Sequence, residues 1–237
     1  MSVVIRHEHA HALRRAIEAE GVRIITPDDP ARSLVLDVIA LAQVAGHGWS
    51  RDHAARYVSV SLPALPQPLP ALLTLGGVAL RPFTALGSDA LEALASLTAR
   101  PLISLSPAAL ETPDGCVGTL LHEWQHVLQS DDGGVMHSIA YLARVDERCL
   151  ACEAPAYACD LAIDVWCRGV DPRVGAAQRA EVLRAYGADD ATVRDAREIL
   201  LSHAETLLVG LCPPVEALRR GVKVLRAAGV EGLPVLP

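Results

Sequence analysis

His122-Glu123-Trp124-Gln125-His126 places two imidazoles four residues apart with a carboxylate between them. On a helix, residues four apart share a face, so both rings can reach one ion. Zinc takes neutral imidazole nitrogen at about 2.0–2.1 Å and, in catalytic sites, keeps a position open for water. A glutamate beside that water can accept its proton. The chemistry implied is hydrolysis by a metal-activated water, with His122 and His126 as ligands and Glu123 as general base.

The surroundings of the motif suit that role. At about 100° per residue, Val117, Leu120, Leu121, Trp124, Val127 and Leu128 form one apolar stripe, and His122 and His126 point nearly opposite to it. One face of the helix therefore packs while the other presents ligands to a cleft. A second literal match, His7-Glu8-His9-Ala10-His11, has no strand before it and no apolar stripe across it, and Arg6, Arg14 and Arg15 flank it. It reads as a solvated first helical turn, suited at most to adventitious metal.

The elements that must position these residues follow from periodicity and breakers. A polar helix is expected over 7–20, ended by Gly21, then a turn at Pro27-Asp28-Asp29-Pro30 and a buried helix over 31–45. Alternation with β-branched residues predicts a strand over 56–62. Four prolines make 63–70 a loop or extended linker, and short strands are expected over 77–84 and 101–106 with a helix over 89–98 between them. The rest reads as helices over about 115–130, 136–150, 155–168, 175–186, 189–209 and 214–228, with a turn at Gly133-Gly134. Helices, a few strands, then helices imply an α+β fold, mostly helical, with a small mixed sheet. The division expected is N-terminal helices over 1–50 packing on a core over 51–170, and a C-terminal helical segment over 171–237, all in one compact unit.

Composition narrows the class. The 237 residues are 51% apolar and only 3% aromatic, so a sizeable core must be built from Ala, Leu and Val, which favours helices. The net charge of -7 argues against nucleic acid as a partner, because phosphate binding needs a basic face. Lys223 is the only lysine, which reads as genomic bias. The first 20 residues carry charges where a signal peptide needs an apolar stretch, and no run reaches the roughly 18 apolar residues of a membrane span. The expectation is a cytoplasmic protein with no membrane partner. Its six cysteines (116, 149, 152, 159, 167 and 212) read as reduced core residues.

The run Gly118-Thr119-Leu120-Leu121-His122-Glu123-Trp124-Gln125-His126-Val127-Leu128-Gln129 resembles the active-site helix of zincin metallopeptidases, and is most similar to small bacterial and phage-type gluzincin-like proteins. The resemblance covers roughly residues 100–165. It implies a zincin-like core, a bound Zn2+ and a peptide or protein substrate. It also implies a substrate-binding edge strand before the helix, which 101–106 would supply, and a third ligand, usually glutamate, on a later helix.

Two glutamates compete for that place. Glu153 lies 27 residues after His126 in Glu153-Ala154-Pro155-Ala156-Tyr157-Ala158-Cys159-Asp160, which resembles the Glu-x-x-Ala-Tyr pattern of such proteins. Pro155 fits best at a first helical position, which would leave Glu153 just before the helix. Glu147, 21 residues after His126, is the rival, although Arg148 beside it suggests a surface ion pair. Asp160, another residue or no third ligand are the remaining alternatives; Asp160 could instead orient a ligand histidine, and Tyr157 could polarise a substrate carbonyl or simply pack. His137 and His203 are isolated histidines better suited to structure or surface than to the site. Cys149 and Cys152 form a CxxC with no second pair, so core packing is the simpler reading. The function expected is a zinc-dependent peptidase. The alternative is a non-catalytic binding or regulatory protein on the same scaffold.

Overall fold

The computed structural model describes residues 2–33, 59–62, 100–142, 146–186 and 188–236. The expected helix over 31–45 beyond residue 33, the linker over 63–70, the strand over 77–84 and the helix over 89–98 lie outside them. The described chain runs α1 (His7–Ala19), β1 (Arg23–Ile25), β2 (Val60–Leu62), β3 (Leu102–Ser104), a 3-10 turn (Ala108–Leu110), α2 (Pro113–Leu142), α3 (Asp146–Arg168), α4 (Pro172–Val182), a second 3-10 turn (Leu183–Tyr186), α5 (Asp190–Leu208) and α6 (Glu216–Ala227). It is mostly helical with one small sheet, and no described helix is long and apolar enough to cross a membrane.

The sheet has the order β1-β3-β2. β1 runs parallel to β3 and β2 antiparallel to it, with Ser61 opposite Ile103. β3 is therefore the central strand, and its three residues are all buried. This corrects the expectation that 101–106 supplies a substrate-binding edge. Both sets of β3 backbone groups are engaged by neighbours, and the outer strands among the described residues are β1 and β2. β1 was missed in the sequence, although Val22-Arg23-Ile24-Ile25 is a β-branched run directly after Gly21.

Two breaks expected in the helices do not occur. α2 continues through Gly133 and Gly134. A glycine costs a helix interior only about 1 kcal/mol, less than enough to end a long helix by itself. α3 continues through Pro155, so Glu153 sits inside the helix and not ahead of it. Proline costs a helix interior about 3 kcal/mol. Here Ala154, Ala156, Ala158, Leu161, Ala162 and Ile163 are all buried, and the packing of α3 on α2, α4 and α5 outweighs that cost.

α1 is also more deeply seated than a polar helix would be. His9, Ala10, Leu13 and Ile17 form its buried stripe. His9 Nδ1 accepts the Arg6 backbone N–H at 3.1 Å, while His7, Glu8 and His11 face outward. The helix ends at Gly21, whose φ of 89° suits glycine.

α6 locks onto the back of α2. Gln125 Oε1 accepts the backbone N–H of Ala217 at 3.1 Å, in the first turn of α6, whose own N-cap, Val215, offers no side-chain acceptor. The Arg220 guanidinium lies 6.0 Å from the centroid of the Trp124 ring and bonds Glu216 and Glu20 at 2.8 Å each. Gly221 meets Leu121, so that a Cβ there would collide with Leu121 Cδ2, which is fully buried. Gly221→Val is expected to destabilise the fold by about 1–3 kcal/mol, the usual cost of overpacking. The urea midpoint checks this, and an unchanged midpoint would show that the two helices can separate freely.

Candidate metal centre

α2 carries both motif histidines on its face toward α3, one turn apart, while Leu120, Leu121 and Trp124 fill the opposite side of the same helix. α2 and α3 run close at this level. A Cβ on Gly118 would stand 3.7 Å from Asp160 Oδ1 and from Ile163. Across that contact, α3 presents Glu153, Tyr157 and Asp160 at helical spacing.

His122, His126 and Glu153 converge, and among the described residues they are the one group of three or more such side chains gathered closely enough to hold a metal ion. The Nε2 atoms of the two histidines are 3.2 Å apart. Glu153 Oε2 lies 3.8 Å from His122 Nε2 and 3.7 Å from His126 Nε2. A triangle with those sides has a circumradius of about 2.1 Å. One point therefore lies at the same distance from all three atoms, and that distance matches a zinc–imidazole or zinc–carboxylate bond of about 2.0–2.2 Å. The donor set, two imidazoles and a carboxylate, suits the same ion.

Each imidazole is turned by a partner on its other nitrogen. His122 Nδ1 lies 2.9 Å from Asp160 Oδ2, and His126 Nδ1 lies 3.3 Å from Gln129 Oε1. In the neutral tautomer that donates Nδ1–H to these acceptors, each ring has its Nε2 lone pair available to bind an ion. Gln129 was not assigned a role from the sequence, although its place three residues after His126 on a helix put it in reach. Tyr157, 4% exposed, stands edge-on to His122 with ring centroids 5.1 Å apart.

The electrostatics separate the two histidines. Burial opposes protonation of both. At His122 the charge and hydrogen bond of Asp160, with Glu123 and Glu153 nearby, outweigh it and push the pKa up to about 9. At His126 burial prevails, reinforced by the positive charge on His122, and the pKa falls to about 4 in spite of Glu153. Glu153 and Glu123 are both buried, at 2% and 6% exposure, and the histidine side chains are 14% and 11% exposed.

The other sequence candidates are not part of this group as described. Glu147 is on α3 and His137 on α2, with side chains outside the described part, as are those of Cys149 and Cys152. His203 is on α5, where burial lowers its pKa, and it is not among the converging ligands. Cys159 is buried, and burial holds its thiol well above the usual range. At the N-terminal match the buried His9 divides the run, and no ligand group forms around His7 and His11. Three of the aromatics, Tyr157, Trp124 and Trp166, also separate. Tyr157 stands against His122, whereas Trp124 is on the apolar side of α2 against Arg220, and Trp166 accepts Val3 N–H through its backbone. The chain matches no family model, no curated protein and no solved structure, so the argument for a function rests on this geometry.

Proposed function

We propose that the protein is a zinc-dependent peptidase with a zincin-like site. The observation that carries this reading is the triangle of His122 Nε2, His126 Nε2 and Glu153 Oε2, whose common centre fits a zinc bond length. His122, His126 and Glu153 would hold the ion, which when bound lowers the pKa of a water and polarises the scissile carbonyl.

The remaining steps belong to side chains. Glu123 lies between the two ligand histidines in sequence, is buried, and is within electrostatic reach of His122. In this reading it accepts the proton of the attacking water and returns it to the leaving amine. Asp160 and Gln129 hold the ligand rings in their working tautomer. Tyr157 braces His122 from the side, and we assign its hydroxyl to the carbonyl oxygen as negative charge develops there. An extended peptide would pair with an outer strand by backbone hydrogen bonds. β2 is the suited one among the described strands, because it packs directly on α2.

The enclosure of the triad also fits a second reading, a non-catalytic binding or regulatory protein with a structural metal. The two readings share the ligand set and differ in whether Glu123 does chemistry. The ligand set is tested by metal analysis of protein purified without chelator. Wild type and Glu147→Ala are expected to hold one zinc per chain and Glu153→Ala to hold almost none. Full zinc content in Glu153→Ala would overturn the assignment of the third ligand.

A further inference from the structure

We propose that Arg179, on α4, is a positioning residue for the metal centre: it offsets the repulsion between Asp160 and Asp164 and so keeps Asp160 on His122. The inference rests on the metal reading above.

The geometry starts on one face of α3. Asp160 and Asp164 are four residues apart, the spacing at which two like charges meet and repel on a helix. Asp160 has its Oδ2 on His122 Nδ1 at 2.9 Å. Its side chain is 18% exposed and that of Asp164 13%, so water screens neither well. Two carboxylates this enclosed need cations close by.

Arg179 is one of those cations. Its Nη2 donates to Asp164 Oδ2 at 2.5 Å, and its side chain is 30% exposed. Burial works against its charge. The field of Asp160, then the hydrogen bond and field of Asp164, and last the field of Tyr157, outweigh it and hold the guanidinium firmly charged. Arg179 thus bonds Asp164 directly and lies within the electrostatic field of Asp160 and the site tyrosine. Arg168 supplies the second cation, and it is shared between Asp164 at 2.8 Å and Asp114 at 2.7 Å. Arg179 reaches the pair from α4, through Asp164.

The physical consequence is directional. With Arg179 present, Asp164 is drawn to α4 and Asp160 is left to His122. Without it, Asp160 and Asp164 repel with only Arg168 to compensate, and Asp160 turns away from the imidazole. The His122 ring then loses the acceptor that fixes it, and the ligand triangle loosens. Removing the group that directly orients a ligand costs about 10–100-fold in metal affinity. Arg179 acts one contact further out, so a loss of about 5–10-fold is expected.

A structural role alone must be separated from this one, because Arg179 also ties α4 to α3. Arg173 serves as the control. It lies on the same helix and pairs with Glu205 of α5 at 2.8 Å, far more exposed and with no link to Asp160. The experiment is zinc affinity, measured by competition with a chromogenic chelator, on full-length R179Q, R179K, R173A, D160N and R179Q/D160N, with folding checked by far-UV circular dichroism. R179Q is expected to weaken zinc about 5–10-fold, R179K to stay close to wild type, and R173A to be unchanged. In the D160N background R179Q is expected to add nothing, because its effect passes through Asp160. Should R179Q unfold, R179M takes its place in the same comparison. Wild-type affinity in R179Q, or a further full loss in the double variant, would overturn the role of Arg179 while leaving the metal reading intact. A wild type that binds no zinc would overturn the metal reading and this inference with it.

Discussion

Glu123→Gln is expected to keep its zinc and to lose peptide hydrolysis by about 10²–10⁴-fold, the usual contribution of a positioned general base. Glutamine has nearly the same shape, so the packing of a residue only 6% exposed is preserved. It has no basic oxygen to accept a proton from water. In the proposed reading the ion is held by His122, His126 and Glu153, a group that does not include Glu123. The measurement pairs metal analysis with turnover of an unstructured protein substrate. Unchanged turnover would sink the peptidase assignment, and a wild type that binds zinc without turnover would favour the binding reading. The pairing matters because loss of activity together with loss of zinc would speak only to the ligands.

Trp124→Ala is expected to cost about 3–5 kcal/mol of stability, the range for removing a large buried aromatic. That is a large part of the roughly 5–15 kcal/mol that holds a typical domain together. Trp124 is 1% exposed, on the apolar face of α2, with the Arg220 guanidinium across its ring. Its loss would leave a cavity between α2 and α6 and remove the platform on which Arg220 joins Glu20 and Glu216. Thermal unfolding in the presence of a chelator isolates this from metal binding, and a fall in Tm of about 10 °C is expected for a chain of this size. A shift of no more than about 2 °C would show that the helices close around the gap. Trp124→Phe is expected to be far milder. The indole Nε1 is buried with no hydrogen-bond partner among the described residues, so deleting it leaves no acceptor stranded.

The two substitutions are neighbours in sequence and opposite in kind, which shows how the motif is divided. In the proposed reading His122, Glu123 and His126 serve the site. Trp124 and Gln125, the two variable positions between them, anchor α6 through a packed ring and a helix cap. The spacing of the histidines was legible because it is local: a helix of 3.6 residues per turn places residues four apart on one face whatever surrounds it. The apolar stripe opposite them was legible for the same reason. The cap on Ala217 was not, because it joins residues 92 apart and depends on how α6 docks.

Secondary structure divides along the same line. The helices over 189–209 and 214–228 were expected within one or two residues of α5 and α6, since capping aspartates, glycines and amphipathic spacing are local signals. Pro155 and Gly133-Gly134 are also local signals, and they misled. Each costs a helix a fixed amount, and the outcome turns on how much burial the helix gains elsewhere. The central place of β3 was equally hidden, because one of its partners, β1, precedes it by more than seventy residues in the chain.

The sequence by itself determined the chemistry on offer: two imidazoles one turn apart, a carboxylate between them, and an apolar face to bury the helix that bears them. It also put two glutamates, Glu153 and Glu147, ahead of Asp160 and other residues as a third ligand. Only the tertiary structure decided that Glu153 lies with the two imidazoles, that Asp160 and Gln129 meet their other nitrogens, and that Arg179 bonds Asp164 behind them. These are distances between helices. They are set by the small alanine and glycine side chains that let α2 and α3 approach, and by burial summed over many residues. No single position in the chain records that sum.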